Sequence, residues 1–323
     1  MAAREHGRVI ELRVLGPVEV LRNGQMVRIP GDRERALLAL VVIERGGVLS
    51  TDQLIDRLWG DHLPDNPSNA LQAVVSRLRR AIGNEAIVTK KPGYALGIEL
   101  DAIDASRFED LLERATAVGL EEPARTSRLL AEALSLWRGP AYADLAYEDL
   151  ARDERSRLEE LRIAAMEEKV AADLALGRNR EALMELERLI VDHPLRERLR
   201  AQLMLALYRA GRQSDAVAAY QETRRVLAEE LGLDPGPELE NTYQLILRQD
   251  PSLQAPAITD GGFKRTNIPT RVTSFVGREP EIQELTKLVR DNRLVTVIGP
   301  GGAGKTSLAT EVARGLLESF DRG

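Results

Sequence analysis

No cysteine occurs among the 323 residues. Disulfides, thiolate metal sites and cysteine nucleophiles are therefore excluded. Histidine is almost as scarce. His6, His62 and His193 stand far apart in unlike contexts, so a metal site built from them is not expected. Aromatic residues amount to 4%. No apolar run reaches the roughly 18 residues of a membrane-spanning helix, and the opening MAAREHGRV has no apolar stretch of the signal-peptide kind. These absences lead to the expectation of a cytoplasmic protein without a membrane partner. What the chain does have is charge (30%) and enough hydrophobic side chains (43%) for real cores. Its length suggests two or three helix-rich domains.

The net charge of −6 is unevenly spread. Residues 1–100 carry 14 Lys/Arg against 12 Asp/Glu, and the remainder carries 31 against 39. Between Pro67 and Tyr94 five basic residues (Arg77, Arg79, Arg80, Lys90, Lys91) face one acid, Glu85. A locally basic stretch in an acidic chain suggests a targeted polyanion contact rather than bulk adhesion.

Arg8 to Ile29 reads as strands, with Asn23-Gly24 as a hairpin turn between apolar runs. Asp32 is the expected N-cap of a helix whose Ala36, Leu37, Leu40 and Val41 fall at helical spacing, with Gly46-Gly47 as its stop. A short strand at Val48-Leu49 follows, then a helix capped by Ser50 or Thr51. After a turn from Gly60 to Asn66, a third helix starts at Pro67 and ends at Gly83. Ile87 to Ile98, with Pro92-Gly93 at its centre, reads as a closing hairpin. This order is that of a winged helix-turn-helix. In the third helix Leu71, Val74, Val75, Leu78 and Ile82 make one apolar face. The other presents Asn69, Gln72, Ala73, Ser76 and Arg80, flanked by Arg77 and Arg79. Asn and Gln can read adenine, Arg can read guanine or hold phosphate, and Ala73 can touch a thymine methyl. Taken alone, this face is equally that of an ordinary solvated helix; the preceding helix and turn and the basic hairpin favour DNA. Asn69, Gln72 and Ser76 are the expected base contacts, and Arg77, Arg79, Arg80, Lys90 and Lys91 the expected phosphate contacts, with Tyr94 beside them.

From Asp104 to Gln249 the pattern is helical. Gly177-Arg178 and Gly211-Arg212 are 34 residues apart, as are Ala182 and Ala216, and that is the tetratricopeptide period. Such stacks present a concave surface to a protein partner, although a structural spacer would show the same pattern. Asp250 to Thr270 reads as a linker. Near the C-terminus, GPGGAGKT follows the β-branched run 294–298 and precedes a helical pattern. This is a phosphate loop. Gly299, Gly301, Gly302, Ala303 and Gly304 would let backbone N–H groups curl around phosphate oxygens. Lys305 would reach the β- and γ-phosphates, Thr306 would hold Mg²⁺, and Ser307 would complete the site. No acidic strand end follows. The chain is thus expected to be cut inside a nucleotide-binding domain, leaving Lys305 merely solvated, with no cofactor required by this piece.

These pieces, in this order, resemble the AfsR-like members of the Streptomyces antibiotic regulatory protein (SARP) family. PSNALQAVVSRLRRAIG and TKKPGYAL are similar to an OmpR-type recognition helix and wing. ALSLWRGPAYADL and AEELGLDPGPEL are similar to the bacterial transcriptional activation domain. TSFVGRE with GPGGAGKTSLA is similar to the opening of an NB-ARC/STAND ATPase module. The resemblance implies an α+β multidomain chain: an OmpR-type winged helix (1–100), an all-α tetratricopeptide-like activation domain (104–250), a linker (251–270) and a fragment of a P-loop NTPase (271–323). It further implies a transcriptional activator of secondary metabolism that is not itself an enzyme. Such an activator binds direct repeats near a promoter's −35 element and recruits RNA polymerase holoenzyme, whose sigma, alpha and beta subunits are candidate contacts. A second protomer on the DNA, and ATP with Mg²⁺ in the full-length protein, belong to the same expectation. The rival reading is a tetratricopeptide/STAND signalling adapter whose N-terminal domain binds protein instead of DNA.

Overall fold

The computed structural model describes residues 10–145, 148–254, 279–292, 295–298 and 305–316. They fall in two compact units, Met1–Pro256 and Ala257–Gly323.

The first unit opens with an antiparallel sheet of β1 (Ile10–Arg13), β2 (Glu19–Arg22) and β3 (Gln25–Val27). Arg22 pairs with Gln25, and Asn23 (φ 52) and Gly24 (φ 78) turn the chain between them. A two-residue hairpin that follows the strand twist needs two positive φ angles, which is why Asn-Gly suits it. In α1 (Asp32–Ile43) the N-cap is Gly31, without a side-chain cap bond, and not the expected Asp32. Asp32 is instead the first helical residue, where its charge faces the positive end of the helix. Every residue from Ala36 to Val42 is buried, so the apolar stripe seen in the sequence widens to the whole circumference. A helix apolar all round must be covered on more than one side.

Part of that cover comes from β4 (Leu49–Ser50), α2 (Thr51–Trp59), α3 (Pro67–Ile82), β5 (Ile87–Lys90) and β6 (Gly93–Leu96). The three strands form a second antiparallel sheet in the order β4-β6-β5. Ser50 caps α2 through a reciprocal capping box with Gln53. This is a winged helix-turn-helix.

The rest of the cover comes from the helical part. It comprises α4 (Asp104–Val118), α5 (Pro123–Ser135), α6 (Arg152–Ala175), α7 (Asn179–Asp192), α8 (Glu197–Arg209), α9 (Gln213–Leu231) and α10 (Pro237–Leu247). One apolar core runs from Ile10 in β1 to Ala165 in α6 without interruption, so no physical gap separates residues 100 and 104. The seam is also hydrogen-bonded. The N–H groups of Val14 and Leu15 donate to the two carboxylate oxygens of Asp104 at 2.7 and 3.1 Å. Those of Arg138 and Tyr142 donate to Leu15 and Val14 carbonyls at 2.8 and 2.9 Å. Burial pushes the Asp104 carboxyl above its ordinary value, against the pull of these N–H groups and of Arg138 at 3.2 Å. A second clasp joins Arg45, just after α1, to Glu109 on α4 and to Glu154 on α6 at 3.1 Å; Arg157 bridges the same two carboxylates at 2.6 and 2.7 Å.

The 34-residue period is a structural repeat. Gly177 (φ 73) ends α6 and Gly211 (φ 77) ends α8. In each, the arginine that follows donates its N–H to the carbonyl five residues back, Arg178 to Asp173 and Arg212 to Leu207, both at 2.9 Å. This is the closure that a left-handed glycine allows at a helix end. Ala182 and Ala216, both buried, then let the paired helices approach. Residues 251–254, read from the sequence as linker, remain attached to the repeats. Asp250 caps a short turn at Pro251–Leu253, and Arg209 donates to the carbonyls of Leu253 and Leu174, each at 2.8 Å.

In the second unit, α11 (Glu279–Asp291) and α12 (Lys305–Leu316) share a small core of Leu285, Leu308, Val312 and Leu316. The expected strand before the phosphate loop is not formed at 295–298. A strand needs a neighbour with which to exchange hydrogen bonds, and these residues have none among those described. Lys305 is half-buried and engaged with a partner, not merely solvated.

Candidate nucleic-acid interface

α3 is positioned by its apolar side. Leu71, Val74, Val75, Leu78 and Ile82 are all buried, which turns the opposite side outward. Its start is fixed by Asn66, whose side chain accepts from the Asn69 N–H at 3.1 Å, with Pro67 in the first turn. Asn69, Gln72, Ala73, Ser76, Arg77 and Arg80 are exposed along the helix. The structure therefore brings together the whole face inferred from periodicity.

The wing lies beside it. Lys90 and Lys91 are exposed at its tip. Two bonds tie that tip to the start of α2: the Thr51 N–H and hydroxyl both donate to the Pro92 carbonyl, at 3.3 and 3.2 Å. At Gly93 a Cβ would sit 1.9 Å from the Leu49 carbonyl oxygen, so only glycine lets β6 approach β4 this closely.

Three residues of this set also make contacts within the domain. Arg79 does not point freely into solvent. Its Nε donates to the Ile87 carbonyl at 2.8 Å and its Nη2 to the Thr89 hydroxyl at 2.9 Å, and the guanidinium lies 5.7 Å from the Tyr94 ring. Arg79 and half-buried Tyr94 thus join α3 to the wing. Arg77 Nε donates to Glu34 Oε1 at 2.6 Å, and Glu34 is buried on α1. Arg80, Lys90 and Lys91, by contrast, have no hydrogen bond or ion pair to any described residue. These three cations are available to an external anion.

A groove of about 620 Å³ opens between α3 and the wing, lined by Gln72, Ser76, Arg80 and Tyr94 and also by Arg22 and Asn84. The last two were not visible as site residues in the sequence. Arg22 belongs to the first hairpin, and only the tertiary fold carries it here. Of the nucleotide-site residues, Gly299, Gly301, Gly302, Ala303 and Gly304 lie outside the described residues, and Lys305, Thr306 and Ser307 occupy the first turn of α12.

Comparison with known proteins agrees with this geometry. Residues 27–96 match the family described as transcriptional regulatory protein, C terminal; residues 103–247 match the bacterial transcriptional activator domain; residues 269–320 match novel STAND NTPase 1. Regulatory protein AfsR of Streptomyces griseus is 38% identical over 97% of this chain and 33% of its own length. The chain thus spans about a third of that relative. Transcriptional regulator RedD of Streptomyces coelicolor is 36% identical, with 78% of this chain and 74% of RedD covered. Among solved structures, Mycobacterium tuberculosis EmbR in complex with a low affinity phosphopeptide superposes with a TM-score of 0.72 at 33% identity, covering 76% of this chain and 66% of EmbR.

Proposed function

Because the chain belongs to the Streptomyces antibiotic regulatory protein family of transcriptional regulators, we propose that it is a DNA-binding activator that seats α3 in the major groove of promoter DNA and sets the wing against the backbone. The observation that carries this reading is the exposed row Asn69, Gln72, Ala73, Ser76 and Arg80 on a helix whose other side is locked into the core, with unpaired Lys90 and Lys91 alongside. Phosphate contacts from the cations supply affinity, and base-edge contacts from Gln72 and its neighbours supply register. Two protomers bind head-to-tail on direct repeats near the −35 element, about one helical turn apart. The repeats α6 to α9 then contact RNA polymerase, and the regulated genes serve secondary metabolism. The work takes place in the cytoplasm, where the DNA is. Among the described residues no helix is long and apolar enough to cross a membrane.

For the second unit we propose a nucleotide. Lys305 and Thr306 stand in the first turn of a helix, where free N–H groups favour an anion. Lys305 would hold a triphosphate and Thr306 the Mg²⁺ that neutralises it. In the whole protein this site governs access to the DNA-binding and activation parts; the chain itself is not an enzyme.

Footprinting on genomic fragments with RNA polymerase tests the reading. Protection of a direct repeat, and polymerase recruitment that depends on the chain, are expected. Binding only to protein, with no protected DNA, would favour the adapter.

A further inference from the structure

The groove beside α3 contains a feature that DNA reading alone does not require. Its cations come from two separate segments: Arg22 at the end of β2, and Arg79 and Arg80 on α3, with Arg79 engaged by the wing. In their midst stands one carboxylate, Glu85. Gly83 ends α3 at φ 115, and the Glu85 side chain folds back over it so closely that a methyl group on Gly83 would lie 2.6 Å from Oε1. That same oxygen is 3.8 Å from Arg22 Nη2. The Arg22 side chain is only about a quarter exposed, and it lines the groove. Asn84 adds an amide to the same wall.

We propose that the groove between Arg22, Asn84 and Arg80 is a seat for one phosphate of duplex DNA, and that Glu85 is its resident competitor. A carboxylate held near a guanidinium occupies the place a phosphate oxygen would take. When duplex DNA docks on α3, its backbone passes this wall and a phosphate displaces the Glu85 carboxylate from Arg22. The first hairpin is thereby a third DNA-contacting element, beside the helix and the wing. Glu85 has a second effect. It repels every phosphate equally and so lowers affinity for all sequences alike, without changing the preference among them.

This inference rests on the DNA-binding reading, and its test separates the two. Binding of the whole chain to a random-sequence duplex is measured across a salt series for wild type, Glu85→Gln, Arg22→Gln and the double variant. Glu85→Gln is expected to bind about fivefold more tightly, a gain that misfolding cannot produce. Arg22→Gln is expected to bind about fivefold more weakly, with the slope of log affinity against log salt reduced by about 0.9. The decisive comparison is within the Glu85→Gln background. If Arg22 holds a phosphate, Arg22→Gln still weakens binding there. If Arg22 serves only to pair with Glu85, the second change is silent and the seat is refuted. Equal affinity of all four proteins also refutes it. Failure of wild type to bind any duplex would overturn the DNA-binding reading itself.

Discussion

Arg77 on the recognition helix and Glu34 on α1 lie 43 positions apart, yet Arg77 Nε donates to Glu34 Oε1 at 2.6 Å. Half of the Arg77 side chain is solvent-exposed, whereas Glu34 is almost wholly buried. The buried partner has the more to lose, because a carboxylate removed from water needs its donor. This pair ties α3, already seated by its apolar side, to α1.

Arg77→Ala is therefore expected to cost about 1–3 kcal/mol of folding stability by leaving the Glu34 carboxylate without its partner. Arg80→Ala, a few residues along the same helix, is expected to stay within about 0.5 kcal/mol of wild type. Urea denaturation of both proteins checks this. Equal stability would mean that the pair is dispensable.

Base reading and backbone holding are expected to be separable. On a selected operator, Gln72→Ala is expected to cost about 1–3 kcal/mol of binding and to relax the preference at one base position. Lys91→Ala should weaken every sequence alike and lower the salt slope by about 1. Binding-site selection with each variant reads out both effects. A Lys91 variant with altered sequence preference would contradict the division of roles.

The clasp around Glu109 makes stability pH-dependent. Burial opposes the Glu109 charge, but Arg45 and Arg157 outweigh it and hold the carboxyl below its ordinary 4.5. A depressed folded-state value stabilises the fold above the unfolded value and loses that contribution as pH falls through the folded one. Glu109→Gln should thus destabilise by about 1–3 kcal/mol at neutral pH, and the difference from wild type should vanish at strongly acid pH. A gap unchanged from pH 7 to pH 3 would show that the charge is not the cause.

The nucleotide loop should be silent in the DNA binding of this chain. Lys305→Ala is expected to leave duplex affinity unchanged with or without ATP, while altering activation in the whole protein. Fluorescent ATP-analogue titration and duplex binding, run side by side, test this. DNA affinity of the chain that shifts with ATP, and stops shifting in Lys305→Ala, would make the second unit a working switch on its own.

Local signals in the sequence were read correctly where short-range chemistry decides the outcome. Asn23-Gly24 demanded a hairpin, Pro67 and Gly83 bounded α3, and the 34-residue spacing of Gly177 and Gly211 marked repeated helix ends. Where long-range contacts decide, the sequence was silent. The spacing of Arg79 places it beside Arg80, and only the fold shows that it also donates to Ile87 and Thr89. Arg22 carried no sign of its groove. Asp32 was mistaken for a cap because Gly31, which takes that position, has no side chain to announce it. Nothing local to Asp104, at the boundary between the two family matches, announces that its carboxylate fastens the backbone of Val14 and Leu15.

That last fastening gives the molecule a compass bearing. With β1, α1 and α4 to α6 sharing one core, α3 cannot swivel beneath the helical arm. On the proposed docking, the groove that α3 enters would therefore dictate the side of the duplex on which the arm projects. Moving the binding site by half a turn, about 5 base pairs, points the arm away from a partner bound next door, and moving it by a full turn brings the arm back. Angular phase along the DNA, as well as distance, then governs whether the arm meets its neighbour.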